Sequence, residues 1–442
     1  MNSRPARQLW LPLYEKSDCS TLVSRAEHPT EEDLLERILS RENLVRALRK
    51  VERNAGSPGV DGMTVKELRP YLKIHWPSIR ESLICGTYRP SPVRRVEIPK
   101  PSGGIRNLGV PTVLDRFIQQ AILQELQTIC DPKFSSSSYG FRPGRNAHQA
   151  VWQAQRYIRS GYTWVVDLDL EKFFDRVNHD VLMRKLAMYI SDRRVLRLIN
   201  RYLRSGVSLD GMVEATAEGT PQGGPLSPLL ANVLLDEFDR ELERRGLRFV
   251  RYADDCNIYV RSQRSAKRVL RRVSDYLSCC LKLRVNESKS AVGRPWERQF
   301  LGFSFTTTRK RCLSDRSLKR FKARIRELTQ RTRGRRIKDV IRELRVYLQG
   351  WIAYYNFIEI RSILKEMDSW IRRKLRCYLF KQWGRRGYRE LRRRGVSRRL
   401  AWNTVKSAHG PWRLSRSPGL SIALPGRYFD SMGLPRIYAK QV

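Results

Sequence analysis

Cysteine and histidine are scarce and scattered. None of the eight cysteines stands in a C-x-x-C pair, and the five histidines (His28, His75, His148, His179 and His409) lie far apart. This argues against a structural zinc site and against an HNH-type nuclease built around cysteine pairs. The thiols read as reduced, cytoplasmic cysteines. No apolar run reaches the roughly 18 residues that suggest a membrane span. Residues Met1 to Ser20 carry charges and prolines in place of the apolar core of a secretory signal. Acidic side chains are also short: 44 Asp/Glu face 87 Lys/Arg, leaving a net charge of +43 on 442 residues. Yet hydrophobic residues make up 41% and aromatics 10%, too many for a disordered basic tail. The chain reads as a folded protein of two or three domains. Its charge repels itself unless a polyanion neutralises it, so nucleic acid is the first partner to consider.

The periodicity along the chain is mixed. Leu34, Leu35, Ile38, Leu39, Val45 and Leu48 predict an amphipathic helix over 31–53, capped near Thr30 and Asp33 and ended by the turn cluster Gly56 to Gly62. Residues 93–110 predict a β-hairpin about Pro101-Ser102-Gly103-Gly104. Helices are expected near 114–129, 191–204 and 265–280, and from the Gly/Pro loop at 219–228 onward to about Arg245. Strands are expected at Trp164 to Leu170, as a strand–turn–strand over 249–260, and at Leu283 to Val285. Together these predict an α+β core with an antiparallel sheet. Beyond residue 308 the pattern turns helical, with Leu344, Leu348, Trp351, Ile352 and Tyr355 on one stripe. Residues 309–400 hold 31 Lys/Arg against 8 Asp/Glu, about half of the charge excess. The excess reads either as a solvated basic helical bundle or, the favoured reading, as a bundle lying along a nucleic-acid backbone, where each phosphate contact releases counterions. The tail, 401–442, shows no clear period but holds Trp402, Trp412, Tyr428 and Phe429. It reads as a small folded appendage or as a segment that orders on RNA.

Two places carry acids where a carboxylate is costly. Asp167 and Asp169 interrupt the apolar strand Trp164 to Leu170, on one face of it. Asp254 and Asp255 occupy the turn of the 249–260 hairpin. Unpaired buried carboxylates are expensive. In so basic a chain such a cluster pairs with arginine or binds a metal. Mg²⁺ takes one or two carboxylates and shares the rest of its shell with phosphates and water. Two such ions about 3.5–4 Å apart activate a hydroxyl and stabilise a leaving oxygen in phosphoryl transfer.

Tyr252-Ala253-Asp254-Asp255 is similar to the YxDD box of reverse transcriptases. Asp169 with Phe173-Phe174-Asp175 resembles their first carboxylate motif, and Gln222-Gly223-Gly224-Pro225-Leu226-Ser227-Pro228 resembles their QGxxxSP loop. Ile98-Pro99-Lys100-Pro101 with Arg106 looks like the fingers hairpin, Asn286-Glu287-Ser288-Lys289 like the lysine motif near the nucleotide, and Phe300-Leu301-Gly302-Phe303 like the primer grip. The stretch Tyr139-Gly140-Phe141-Arg142-Pro143-Gly144-Arg145, Ala147 to Ala150, His179, Gly350-Trp351 with Tyr354-Tyr355, and Gly410-Pro411-Trp412-Arg413 resemble the bacterial group II intron reverse transcriptase/maturases. With so few Cys and His, the chain looks like the endonuclease-lacking, group IIC-like lineage, which puts second-strand cleavage by this chain in doubt.

The resemblance implies a right-hand polymerase. An N-terminal extension (1–29) precedes fingers and palm (30–305). An α-helical thumb or X/maturase region (306–380) and a small basic C-terminal region (381–442) follow. It implies RNA-directed DNA synthesis from dNTPs with two Mg²⁺ ions, and maturase binding of a group II intron RNA for splicing and retrohoming. RNA template, DNA primer or target, and a cytoplasmic or nucleoid ribonucleoprotein follow from it. Asp169, Asp254 and Asp255 would be catalytic and hold metal, with the Leu170 carbonyl as an extra ligand. Asp167 would be a structural strand residue. Lys100, Arg106, Ala253, Gln222, Gly223 and Lys289 would meet the nucleotide. Phe174, or else Phe173, would exclude a ribose 2′-OH. Phe300, Leu301 and Gly302 would grip the primer. Arg142, Arg145, Arg392, Arg393 and Arg394 would bind RNA. Trp351, Tyr354 and Tyr355 would be thumb core before base-stacking surface. The rival readings are a host-recruited reverse transcriptase without a parent intron and a non-catalytic RNA chaperone. The intact acids argue against the second.

Overall fold

A computed structural model describes residues 33–99, 103–209, 212–214, 218–220 and 223–438. The N-terminal extension, Thr30, Lys100 and Gln222 lie outside the described residues, as does the hairpin turn at Pro101 and Ser102. The chain forms two compact units. One comprises Met1–Ala154 with Tyr162–Gly293, the other Gln155–Gly161 with Arg294–Val442.

The first unit opens with α1 (Leu34–Ile38) and α2 (Arg41–Asn54). The single helix expected over 31–53 is thus two. Ser40 interrupts it by accepting the Asn43 N–H, an N-cap that starts α2 afresh. Asp33 stands at the N-cap of α1 without a side-chain cap bond. Helix α3 (Val65–Ile84) was not foreseen, because Pro70 and Pro77 lie inside it. Its start is nonetheless signalled: the Glu67 carboxylate accepts the Thr64 N–H at 2.7 Å, half of a capping box. Leu68, Leu72, Trp76, Ile79 and Leu83 then line its buried face.

Strands β1 (Val93–Pro99) and β2 (Ile105–Val110) form the expected antiparallel hairpin, and helix α4 (Val113–Cys130) follows. Helix α5 (Ala147–Arg159) leads to β3 (Trp164–Leu168), then come α6 (His179–Leu186), α7 (Arg193–Leu203), β4 (Val207–Leu209) and β5 (Met212–Glu214). Helix α8 (Ser227–Arg244), β6 (Arg248–Tyr252), β7 (Asp255–Val260), α9 (Gln263–Leu281) and β8 (Ala291–Gly293) complete the unit. One four-stranded sheet has the order β2-β1-β4-β5 and the other β6-β7-β3-β8. The second is antiparallel throughout, an α+β arrangement. The strand expected at Leu283 to Val285 is reduced to one bridge, Val285 to Leu170, and β8 takes its place beside β3.

Helix α8 is buried on nearly all sides, by Leu229, Leu230, Val233, Leu234, Phe238 and Leu242. A helix apolar all round belongs in a core. Its buried polar groups are each answered: Asp236 accepts the Tyr189 hydroxyl at 2.6 Å, and Asn232 donates to the Gly140 carbonyl at 2.9 Å.

The second unit begins with the two-stranded sheet β9 (Phe303–Phe305) and β10 (Arg311–Leu313). Three long helices follow: α10 (Asp315–Leu328), α11 (Ile337–Tyr355) and α12 (Arg361–Trp383). Phe321, Leu344, Leu348, Leu364, Ile371 and Leu375 are buried along them. Trp351 stacks on Tyr355 with ring centroids 4.8 Å apart. The segment 155–161 belongs to this unit: Gln155 Nε2 donates to Glu359 Oε2 at 2.6 Å, and Arg159 pairs with Glu359 at 3.0 Å.

Of the two readings of the tail, the folded one holds. Short helices α13 (Gly387–Arg393), α14 (Arg398–Lys406), α15 (Pro411–Leu414), α16 (Pro418–Ala423) and α17 (Gly426–Ser431) form it. Buried Arg372 ties α12 to Asp430 at 2.6 Å. No helix among the described residues is long and apolar enough to cross a membrane.

Candidate active site

The site is built on the sheet β6-β7-β3-β8. Val165, Val166 and Leu168 anchor β3 in the core. The strand ends at Leu168, so Asp169 stands just past it. Its backbone is clamped from a distant turn. The Asp169 N–H donates to Ser290 Oγ at 2.9 Å, and its carbonyl accepts the Asn286 N–H at 2.8 Å. Leu170 is buried and bridged to Val285. The same turn brings Lys289 Nζ to 3.5 Å from Asp169 Oδ2.

Asp254 comes from the two-residue turn Ala253-Asp254 between β6 and β7, and Asp255 opens β7, paired with Tyr252. Ala253 takes φ +58°, a left-handed conformation uncommon for a residue with a side chain. The turn is held from below. Arg251 is 1% exposed and pairs with fully buried Asp239 at 2.5 Å. Its Nη1 donates to Ala253 O and to Asn232 Oδ1, both at 3.0 Å. Gly140 packs against the same turn: a Cβ there would lie 2.3 Å from the Ala253 nitrogen. Only glycine allows that approach.

The backbone holds the acids close enough to feel one another's charge. Burial, then the charge of Asp169, raises the Asp254 carboxyl above the usual range, while Arg106 and Lys289 pull it down. Asp255 is open to water at the mouth of the site yet crowded by protein. That crowding, followed by the charges of Asp254, Asp167 and Asp169, pushes it up to about 7. Asp167 lies inside β3, opposite Asn257, whose amide turned toward it donates at 3.0 Å. Among the described residues no group of three or more His, Cys, Asp or Glu is arranged to hold an ion by itself. The carboxylates that feel one another's charge still suit Mg²⁺. That ion is bound through one or two carboxylates plus substrate phosphates and water, not in an all-protein cage.

The remaining residues divide. Phe173 is 3% exposed and belongs to the core, whereas Phe174 is half-buried, its ring 5.2 Å from that of Phe173. Gly223, at φ +141°, passes so close to β2 that a Cβ would meet Gly109 O at 2.6 Å. Arg106 is exposed on β2. Phe300, Leu301 and Gly302 lie in the second unit, where the Tyr354 hydroxyl donates to Leu301 O at 2.9 Å. A Cβ on Gly302 would come 2.6 Å from the Tyr355 hydroxyl.

Two RNA-contact expectations need correction. Arg142 is buried, bonded through Nε to Asp131 at 2.8 Å and through Nη1 to the Ser135 and Ser138 carbonyls. It fastens a loop and offers no free guanidinium. Arg394 is likewise committed: it covers the Trp383 and Tyr428 rings at 5.3 and 4.8 Å and pairs with Glu390. Arg145 is half-buried over the Tyr139 ring. Arg392 and Arg393 are exposed, though Arg392 Nη1 bonds the Val396 carbonyl and Arg393 pairs with Glu390. Sequence reasoning missed Arg251, Asp239, Asn232 and Ser290. The first three stand apart in the sequence and read as ordinary polar residues; the one available signal was an arginine within a strand leading straight into the acids.

Two family profiles match the chain. "Reverse transcriptase (RNA-dependent DNA polymerase)" covers residues 98–305, and "Group II intron, maturase-specific domain" covers residues 318–399. Protein YkfC of Escherichia coli (strain K12) is 34% identical over 278 residues, 54% of this chain and 73% of that protein. The group II intron-encoded protein LtrA of Lactococcus lactis subsp. cremoris is 40% identical over 174 residues, 39% of this chain and 29% of LtrA. The putative COX1/OXI3 intron 1 protein of Saccharomyces cerevisiae is 32% identical over 221 residues, 49% of this chain and 26% of that protein. The chain thus spans most of YkfC and under a third of the two intron proteins. With both profiles matched in order along the chain and 73% of YkfC covered at 34% identity, the chain belongs to the reverse transcriptase family and carries the group II intron maturase-specific domain.

Proposed function

We propose that this chain extends a DNA primer on an RNA template, and that its second unit binds a group II intron RNA and assists its splicing and retrohoming. The observation that carries the first part is the shared electrostatics of Asp169, Asp254 and Asp255 with Arg106 and Lys289 facing them. The maturase profile and the +23 excess over residues 309–400 support the second.

The family generally uses Mg²⁺. In this chain Asp169, Asp254 and Asp255, with the Leu170 carbonyl, would hold two such ions, which when bound supply Lewis-acid stabilisation and lower the pKa of a coordinated hydroxyl. Lys100, Arg106 and Lys289 bind the triphosphate oxygens by charge-assisted bonds. Lys289 also balances the charge of Asp169, and it can pass a proton to the leaving pyrophosphate. Gln222, Gly223 and Ala253 line the nucleotide. In this reading residues 30–305 are fingers and palm, 306–380 the thumb, 381–442 a basic nucleic-acid-binding region, and Phe300 to Gly302 the primer grip.

Purified protein should extend an oligo(dT) primer on poly(rA) with dTTP and Mg²⁺, and it should raise splicing of a cognate intron RNA. No extension under any magnesium concentration would overturn the polymerase reading. Phe174 is the half-buried wall of the sugar site. Phe174→Ala should raise ribonucleotide over deoxyribonucleotide incorporation by about 10–100-fold, measured as the ratio of kcat/KM values. Phe173→Ala should instead cost about 3–5 kcal/mol of stability by emptying a core site. A changed sugar ratio in Phe173→Ala alone would move the gate to that residue.

A further inference from the structure

The second unit contains a cleft to which polymerisation assigns no task. It has a volume of about 790 Å³ and lies between α10 and α12. Its apolar wall is Leu318, Ile363, Met367 and Trp370. Around it stand Lys322, Arg326, Lys365, Arg373, Arg376 and Arg416. Among the described residues none of these six cations has a carboxylate partner, although Arg373 donates to Ser415 Oγ and the Trp412 carbonyl and Arg376 to the Leu424 carbonyl. This leaves Lys322, Arg326, Lys365 and Arg416 as the main anion contacts. One acid, Glu366, shares the lining and is exposed beside them.

Each feature narrows the ligand. Six cations without carboxylate partners call for an anion. Arg373 is held below the usual arginine range by burial and then by the charge of Arg416, a repulsion that a phosphate between them would relieve. The volume falls within the range of small-ligand sites, about 300–1,000 Å³, too small for a duplex. The apolar wall with Trp370 suits a flat base, and unpaired RNA bases are read by such surfaces. Glu366 repels phosphate from its part of the cleft and can accept hydrogen bonds only, so it favours the amino edge of a base there.

We propose that this cleft takes one or two unpaired nucleotides of a structured RNA, base against the Trp370 wall and phosphates on the surrounding lysines and arginines. The inference rests on the RNA-binding reading of this unit and adds to it the form of RNA recognised.

The test compares an RNA hairpin bearing a short single-stranded bulge with the same hairpin fully paired. The wild-type chain should bind the bulged form about tenfold or more tightly, as stacking of one base provides. Ser369 is exposed on the cleft lining. Ser369→Trp fills the space without removing charge, and it should abolish the preference while leaving affinity for the paired hairpin unchanged. Ser362→Trp is the second plug should Ser369→Trp lower the melting temperature. Lys322→Gln with Arg416→Gln should weaken binding of the bulged hairpin and reduce the slope of log K against log salt by about two. A preference that survives both plugs, or a wild-type chain without one, overturns the proposal. If the wild type binds neither hairpin nor a group II intron RNA, the RNA-binding reading itself fails; if it binds the intron RNA but ignores the bulge, only the cleft assignment does.

Discussion

Asp254→Asn should reduce primer extension by about a thousandfold or more, several kcal/mol of lost charge stabilisation, while RNA affinity stays unchanged. The residue stands in a two-residue turn whose backbone is fixed independently of its side chain, by Arg251 from one side and Gly140 from the other. Asparagine matches the carboxylate in shape and keeps that turn intact. What disappears is one negative charge among Asp169, Asp254 and Asp255. In the absence of cations this relieves repulsion, because Asp254 already feels Asp169 as an unfavourable neighbour. The variant should therefore melt no lower than wild type in EDTA, and it should gain less than wild type from added Mg²⁺. Polymerisation within tenfold of wild type would remove Asp254 from the catalytic set. A lower melting temperature in EDTA would mean that its carboxylate is structural.

Arg251→Met should destabilise the first unit by about 3–5 kcal/mol, since it leaves Asp239 buried without its partner. The double change Arg251→Met with Asp239→Leu should recover most of that loss, because a buried ion pair is often replaceable by apolar side chains of similar volume. Activity should not recover with it. The Ala253 carbonyl would still lack its donor, and the left-handed turn would lose the bond that holds the two acids in place. A small misplacement of catalytic groups can cost about a hundredfold in rate. Chemical denaturation and single-turnover extension, measured on both variants, separate the two effects. A stable double variant with wild-type turnover would show that Arg251 serves stability alone.

The contrast between these two residues marks how much the sequence discloses. Asp254 and Asp255 are conspicuous because carboxylates between Tyr252 and Cys256, in an otherwise apolar hairpin, make no sense without a cation. The same logic finds Asp169 and, through its position four residues on, the Phe173–Phe174 pair. Arg251 follows no such logic: one more arginine among 87 basic residues carries no mark of burial. Asn232 and Asp239 look like the solvent face of a helix until α8 proves to be buried over most of its surface, with Arg240, Glu243 and Arg244 left exposed toward its end. Helix α3 was hidden by Pro70 and Pro77, although its capping box and apolar spacing were present. The break at Ser40 was hidden by apolar residues that continue across it. Arg142 and Arg394 were misjudged in the opposite sense, as exposed cations, because charge alone does not say whether a guanidinium faces a phosphate or a carbonyl.

The short segment 155–161 also sets a schedule for synthesis. Gln155 leaves the ribosome 204 residues before its partner Glu359, and Arg159 does so 200 residues before. At about 5–20 residues per second, this segment waits roughly 10–40 s for the strand and helices that complete its unit. During that interval a polar side chain destined for burial, 1% exposed in the finished protein, remains without its bonds. Neither compact unit corresponds to one uninterrupted stretch of translation, so a gene fragment ending at Gly293, or one beginning at Arg294, encodes an incomplete second unit.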